Sequence, residues 1–232
     1  MRLPRLSDSK RHALSAAAAV VTLVAAALGW LMHSPEDESA QSRALSSENR
    51  NPAGPPWIYG RADARFTLIE YADLECPYCR AYFPVLRRWI DANPEVNWQW
   101  HHLPLSMHDP EATQAAHLAE CVGETSGNTA FWNAIAWIYQ HPGGSPATLA
   151  ESQLPVVSAA VQGCLDTGHL LPRIHAQAAA ASREGITATP TLRLIDRETG
   201  RVLTLQGPLE GDALLSAVDL LISASSSSRI SK

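Results

Sequence analysis

The sequence has no concentrated run of basic residues. Its 18 Lys and Arg are outnumbered by 23 Asp and Glu, for a net charge of −5, and both signs are spread along the chain. Nucleic-acid binders carry a basic face or stripe, so that class is excluded. No internal repeat is present, which excludes solenoid and propeller architectures. Cysteine is scarce: Cys76, Cys79, Cys121 and Cys164 are the full set. A structural zinc site usually draws on a second Cys/His pair at short spacing. Cys121 and Cys164 lie far apart, and His101 and His102 are adjacent rather than spaced, so zinc at the first pair is disfavoured. No Met or His flanks that pair in sequence, which argues against a copper carrier. The Trp residues are scattered and none marks a cofactor box. No metal and no cofactor are therefore expected.

What is present is a chain of 232 residues with 46% hydrophobic composition, enough for one domain of about 150–200 residues plus extensions. Residues 1–12 hold Arg2, Arg5, Lys10 and Arg11 against a single acid, Asp8. Residues 13–32 carry no charge. A helix of about 20 residues spans the roughly 30 Å hydrocarbon core of a bilayer. Basic residues before this run, and Glu36, Asp37 and Glu38 after it, predict a cytoplasmic N-terminus and an exported remainder. The competing reading is a cleaved signal peptide. The run exceeds the about 7–15 residues of a signal core, and its small-residue triplet at 25–27 lies inside it, so an anchor is favoured. Both readings export the rest of the chain. The expected location is the inner (cytoplasmic) membrane, single-pass, with a periplasmic C-terminal domain. Residues 33–56, polar and without apolar period, read as a flexible linker. Residues 224–232, with the Ser225 to Ser228 run, read as a disordered tail.

Between these lies the folded part, expected over 57–223. Residues 66–71 form a short β-rich apolar run, a buried strand. A helix is predicted over 80–92, where Cys79, Phe83, Leu86 and Ile90 share one face and Pro84 should kink it. A second strand is predicted over 96–103, with Val96, Trp98 and Trp100 alternating. A mostly helical stretch follows over about 109–184: Asp109 as cap with Pro110 at the first helical position, then helices near 129–140, 154–166 and 170–184. Strands at 191–195 and 201–206, joined by a turn at 197–200, precede a last helix at 211–222. This order defines an α/β domain with a helical insertion.

The chemistry concentrates at Cys76-Pro77-Tyr78-Cys79. The pair follows a strand and opens a helix, so Cys76 sits where free N–H groups and the helix dipole favour negative charge. That lowers a thiol pKa, and the thiolate is the nucleophile. Cys79, one turn further on, is expected to be shielded. An exposed attacking sulfur and a buried resolving sulfur make a disulfide-exchange pair. Cys121 and Cys164 both fall on apolar stripes in the helical stretch, so they can meet across a helix pair. In an exported protein a structural disulfide is expected there; two free buried thiols is the alternative. His108 and His117 flank a helix start and are read as structural.

The run Glu70-Tyr-Ala-Asp-Leu-Glu-Cys76-Pro-Tyr-Cys79 resembles the thioredoxin superfamily, and within it the DsbA-like branch. Pro84 matches the proline inside the family's first active-site helix, and Gly185-Ile-Thr-Ala-Thr189-Pro190-Thr191 is similar to its cis-proline loop. The helical insertion and the second cysteine pair match the DsbA-like branch. The resemblance covers about 57–222. It implies a thioredoxin fold, Cys76 as nucleophile, Cys79 as resolving cysteine, Glu70 as a buried acid relaying a proton for Cys79, and Thr189 and Pro190 as the groove for an extended substrate. Strand alternation places Glu70 beside Leu68, which also favours burial.

Direction is not set by the motif. The linker at 33–56 is too short and polar to be the dimerisation domain of exported isomerases in this superfamily, which favours a monomeric oxidase. Reductase or isomerase action, and a non-catalytic binding or chaperone module, are the alternatives. The resemblance implies as partners exported proteins with free thiols and a membrane redox partner, a quinone-linked oxidase or an electron donor.

Overall fold

The computed structural model describes residues 55–142 and 158–227. The expected anchor at 13–32 and most of the linker lie outside the described residues. Among the described residues, no helix is long and apolar enough to cross a membrane.

In chain order the elements are β1 (Ile58–Tyr59), β2 (Phe66–Ala72), α1 (Pro77–Ala92), β3 (Val96–His102), α2 (Glu111–Ser126), α3 (Asn128–Gln140), α4 (Ala159–Thr167), α5 (Leu171–Arg183), β4 (Thr191–Asp196), β5 (Val202–Gln206) and α6 (Gly211–Ser227). They form one five-stranded sheet in the order β1-β3-β2-β4-β5. β2 runs parallel to β3 and antiparallel to β4. This is the α/β arrangement that the alternating strand and helix signals predict, with α2 to α5 inserted between β3 and β4.

β2 is the central strand, and its alternation assigns the two faces. Leu68 and Ala72 belong to the large core with Phe83, Leu86, Trp98 and Trp100. Tyr71 points to the opposite side, where it packs with Leu103, Ala181 and Ile186. Glu70 shares the first face, pairs across the sheet with Trp100 and Leu192, and is 1% exposed. A carboxyl group therefore sits in the middle of an aromatic core. Trp98 alone packs against Tyr59, Phe83, Trp100 and Trp132, the offset and edge-on arrangements that aromatic quadrupoles favour.

Several boundaries differ from the sequence-based expectations. Strand β1 is too short to show a period and was not predicted; it is held by antiparallel pairing of Ile58 and Tyr59 with Gln99 and Trp98. Helix α1 begins at Pro77 because Cys76 is its N-cap and proline fits the first turn, and Pro84 sits inside an uninterrupted helix. Helix α2 begins at Glu111, one residue beyond the expected start, after a 3-10 turn at Ser106–His108. Asp109 still caps it, accepting from Thr113 N and Oγ1 at 3.1 and 2.7 Å. Helix α4 starts at Ala159, where the Ser158 side chain caps it by accepting from Val161 N; the expected start at 154 lies outside the described residues. Helix α6 runs on to Ser227, beyond the expected start of the disordered tail at 224; residues 228–232 lie outside the described residues.

One contact fixes how the start of the domain docks. Trp57, 1% exposed, stacks on Phe131 at 4.9 Å and lies against Gly123 of α2, where an added Cβ would fall 2.5 Å from the indole ring. In an open helix, Gly→Ala gains about 0.5–1 kcal/mol. Here the overpacking cost of about 1–3 kcal/mol exceeds it. Gly123→Ala is therefore expected to lower the urea midpoint; an unchanged or raised midpoint would show that Trp57 is not wedged against this helix.

Candidate active site

The chain leaves the sheet at Ala72, turns through Asp73, Leu74 and Glu75, and enters α1 at Cys76. Asp73 holds that turn together. Its buried carboxylate accepts from Glu75 N at 2.8 Å, Leu105 N at 2.7 Å and His108 Nδ1 at 2.9 Å. Its carbonyl accepts from Cys76 N and from the Tyr139 hydroxyl, both at 3.2 Å. The turn before the dithiol is thus tied to the loop after β3 and to α3.

Cys76 and Cys79 are free thiols. Cys79 is fully buried, as its place on the Phe83, Leu86, Ile90 face predicts. Cys76 is a correction: it was expected to be exposed, yet only 3% of it is. The reason is tertiary. The loop before β4 lies over it, and Cys76 Sγ is 3.6 Å from the carbonyl oxygen of Thr189. The Thr189–Pro190 bond of that loop is cis. Tyr78, between the cysteines, is by contrast largely exposed. Pro77 lies in the first turn of α1.

The two thiols are driven apart electrostatically. The Cys76 thiol is lowered from 9.0 to about 5, first by the hydrogen bond from Cys79; the Thr189 hydroxyl and the N–H groups of Cys79 and Tyr78 add to this against the cost of burial. Cys79 is raised, by that same hydrogen bond, by burial and by the nearby Glu70. Cys76 is thus the thiolate at neutral pH and Cys79 the thiol. Glu70 is pushed up to about 8, chiefly by burial, with the nearby Trp98 indole opposing and the Cys76 charge adding to it. Among the described residues neither of its oxygens has a partner within hydrogen-bond geometry. It is therefore mostly protonated at neutral pH.

Cys76, Cys79, Glu70 and Thr189 are brought together by the fold, with Pro190 in the covering loop. Cys121 and Cys164 are not part of this site; they are joined to each other by a disulfide between α2 and α4, with Cα atoms 5.7 Å apart. Asp73 and His108 belong to the site and were missed. Asp73, three residues before Cys76, offered a turn signal. His108 offered none and was read as structural; its bond to Asp73 raises its pKa, and the Cys76 charge acts in the same direction. By reciprocity, protonated His108 stabilises the Cys76 thiolate.

A paired thiolate and thiol at a strand-to-helix junction, covered by a cis-proline loop, in a thioredoxin-like α/β fold, define a thiol:disulfide oxidoreductase of the DsbA-like type. Residues 53–218 match the family model described as Thioredoxin, and the chain belongs to that family. Among solved structures, it is similar to Pseudomonas aeruginosa DsbA2, with 42% identity, a TM-score of 0.65, and coverage of 75% of this chain and 97% of that one. Wolbachia pipientis alpha-DsbA1, at 19% identity, 75% and 94% coverage and a TM-score of 0.61, shares the fold. Among curated proteins, the Na(+)/H(+) antiporter NhaA 1 of Salinispora arenicola is 35% identical over 86 residues, 37% of this chain and 13% of that protein. The chain thus spans only a small part of the curated relatives it matches.

Two measurements check these electrostatics. The rate of Cys76 alkylation by iodoacetamide in the reduced protein is expected to titrate with a midpoint near 5, and His108→Ala should move that midpoint upward. A midpoint near 9 would show that the thiolate is not stabilised. The second uses folding stability of the reduced protein, the form with Cys76 and Cys79 as free thiols. Glu70 has a folded pKa raised from 4.5 to about 8, so its contribution is fully present below 4.5 and is lost as pH rises through 8. The stability of wild type relative to Glu70→Gln should fall across that window in urea titrations. A pH-independent difference would place Glu70 in a solvated setting.

Proposed function

We propose that this protein is an exported, membrane-tethered oxidase that introduces disulfide bonds into exported proteins through Cys76 and Cys79. The observation that carries the direction is the depressed pKa of Cys76. A stabilised thiolate stabilises the reduced form, and a dithiol whose reduced form is stabilised is a strong oxidant. The likeness to Pseudomonas aeruginosa DsbA2 at 42% identity supports the same reading. The uncharged run at 13–32, with basic residues before it, supports a tether in the inner membrane with a periplasmic domain.

In this reading the resting enzyme carries a Cys76–Cys79 disulfide. A substrate thiolate attacks Cys76 Sγ; a substrate–Cys76 bond forms and the Cys76–Cys79 bond breaks. Cys79 leaves as a thiolate in a buried site that disfavours its charge, and Glu70, protonated at neutral pH, supplies the proton. A second substrate thiolate then attacks the substrate sulfur and releases Cys76 as its stabilised thiolate. The substrate dithiol loses two electrons and the enzyme disulfide gains them. In the reverse, recharging direction, Glu70 takes the Cys79 proton back; Cys76 is uncharged within a mixed disulfide in both directions, so the part of the Glu70 rise that comes from the Cys76 charge is absent at the moment of transfer and burial alone holds the carboxyl up. The extended substrate lies along the Thr189–Pro190 loop, pairing with backbone as an added strand does. A quinone-linked membrane oxidase would restore the disulfide. The enzyme acts as a monomer.

The deciding experiment is the equilibrium potential of Cys76–Cys79 against glutathione. A value toward the oxidising end, about −120 mV, is expected. One near about −270 mV would make the protein a reductant and end the oxidase reading. Glu70→Gln should slow single-turnover substrate oxidation by about a hundredfold while leaving iodoacetamide labelling of Cys76 intact.

A further inference from the structure

The second cysteine pair has neighbours that a purely structural disulfide does not need. Cys121 lies on α2 and Cys164 on α4, and both are buried. His117 stands four residues before Cys121, on the same face of α2. A ligand atom of His117 and the two sulfurs all lie within 4.8 Å of one another. His117 is 7% exposed, and its Nε2 is buried with no hydrogen-bond partner among the described residues. Most buried polar groups are hydrogen-bonded, so an unpartnered imidazole nitrogen beside two sulfurs calls for an explanation.

A second group closes the cluster from the solvent side. Glu124, Cys164 and His169 also have ligand atoms within 4.8 Å of one another. His169 reaches this place because Gly168, with φ of +63°, turns the chain back at the end of α4. His169 Nε2 is 2.8 Å from Glu124 Oε2. Both residues are exposed, which provides an entry path.

We propose that, when its disulfide is reduced, the Cys121–Cys164 pair becomes a metal site for a divalent ion of zinc type, with His117 as third ligand and the His169–Glu124 pair supplying the fourth. Two thiolates, an imidazole and one further N or O donor are the ligand set of tetrahedral zinc. At usual zinc–sulfur bond lengths the two sulfurs of such a site lie about 3.8 Å apart, so they must separate after the S–S bond breaks. The reductant is a dithiol. It gives two electrons to the Cys121–Cys164 bond and becomes a disulfide itself, while two protons end on the new thiols. Those protons are released when the metal binds. Disulfide and metal are then mutually exclusive occupants of one place between α2 and α4, and the domain keeps a cross-link in either state. This inference does not depend on the direction of the Cys76–Cys79 reaction.

The test uses the full chain carrying Cys76→Ser and Cys79→Ser, so that Cys121 and Cys164 are its only thiols. The protein is reduced with a water-soluble phosphine, which is itself converted to the phosphine oxide, and titrated with Co2+. One equivalent is expected to bind, with thiolate-to-cobalt charge-transfer absorption in the near ultraviolet and tetrahedral bands in the visible, both abolished by Zn2+. The oxidised protein should show neither band. His117→Gln is expected to weaken cobalt binding at least about tenfold, and His169→Ala, at an exposed position, also to weaken it. Far-ultraviolet circular dichroism follows folding throughout: if reduction melts the helices, Zn2+ should restore them. Absence of the charge-transfer band in reduced protein, unchanged cobalt affinity in both histidine variants, or failure of Zn2+ to restore lost helix would each overturn the proposal.

Discussion

The dithiol depends on one buried carboxylate. Asp73 receives hydrogen bonds from Glu75 N, Leu105 N and His108 Nδ1, while its carbonyl receives Cys76 N and the Tyr139 hydroxyl. These partners come from the active-site turn, the loop after β3 and helix α3. Burying a polar side chain is tolerable where it is hydrogen-bonded, and Asp73 gathers all of these donors at one residue. The position of the α1 N-terminus, and with it the setting of Cys76, follows from this junction.

From that position the electrostatics follow. Two cysteines three residues apart acquire opposite character first because Cys79 donates its hydrogen bond to Cys76, which lowers one and raises the other; the N–H groups of the first turn of the helix add to the first shift, and burial to the second. Glu70 adds to the contrast from the central strand. Among the described residues it has no hydrogen-bond partner, and burial keeps it protonated at neutral pH, so it holds a proton within the site; once ionised, its charge disfavours a Cys79 thiolate. Removing the Cys76 charge lowers the pKa of Glu70, which couples the redox state of the pair to the proton it needs.

Much of this was legible before folding. The strand at 66–71, the helix face of Cys79, Phe83, Leu86 and Ile90, and the alternation of Val96, Trp98 and Trp100 are periodic patterns, and periodicity reports which face is buried. Placing Glu70 beside Leu68 anticipated its burial. What escaped was of another kind. Strand β1 is only Ile58–Tyr59, too short to carry a period. His108 looked like a residue at a helix start, yet it acts on Cys76 through Asp73. Cys76 was expected in the open, and is covered by a loop far along the chain.

The sequence by itself determined the local elements, the strand-to-helix placement of Cys76-Pro-Tyr-Cys79 and the buried face that Cys79 shares, because these rest on spacing within one or two turns of chain. Only the tertiary structure decided which distant groups meet there: the Thr189 carbonyl over Cys76, 113 residues away in sequence, His108 on Asp73, 35 residues away, and His117 beside the Cys121–Cys164 pair. Hydrogen bonds and charges act over a few ångströms of space whatever the sequence separation. The pKa values that set the chemistry therefore emerge only when the chain has closed on itself.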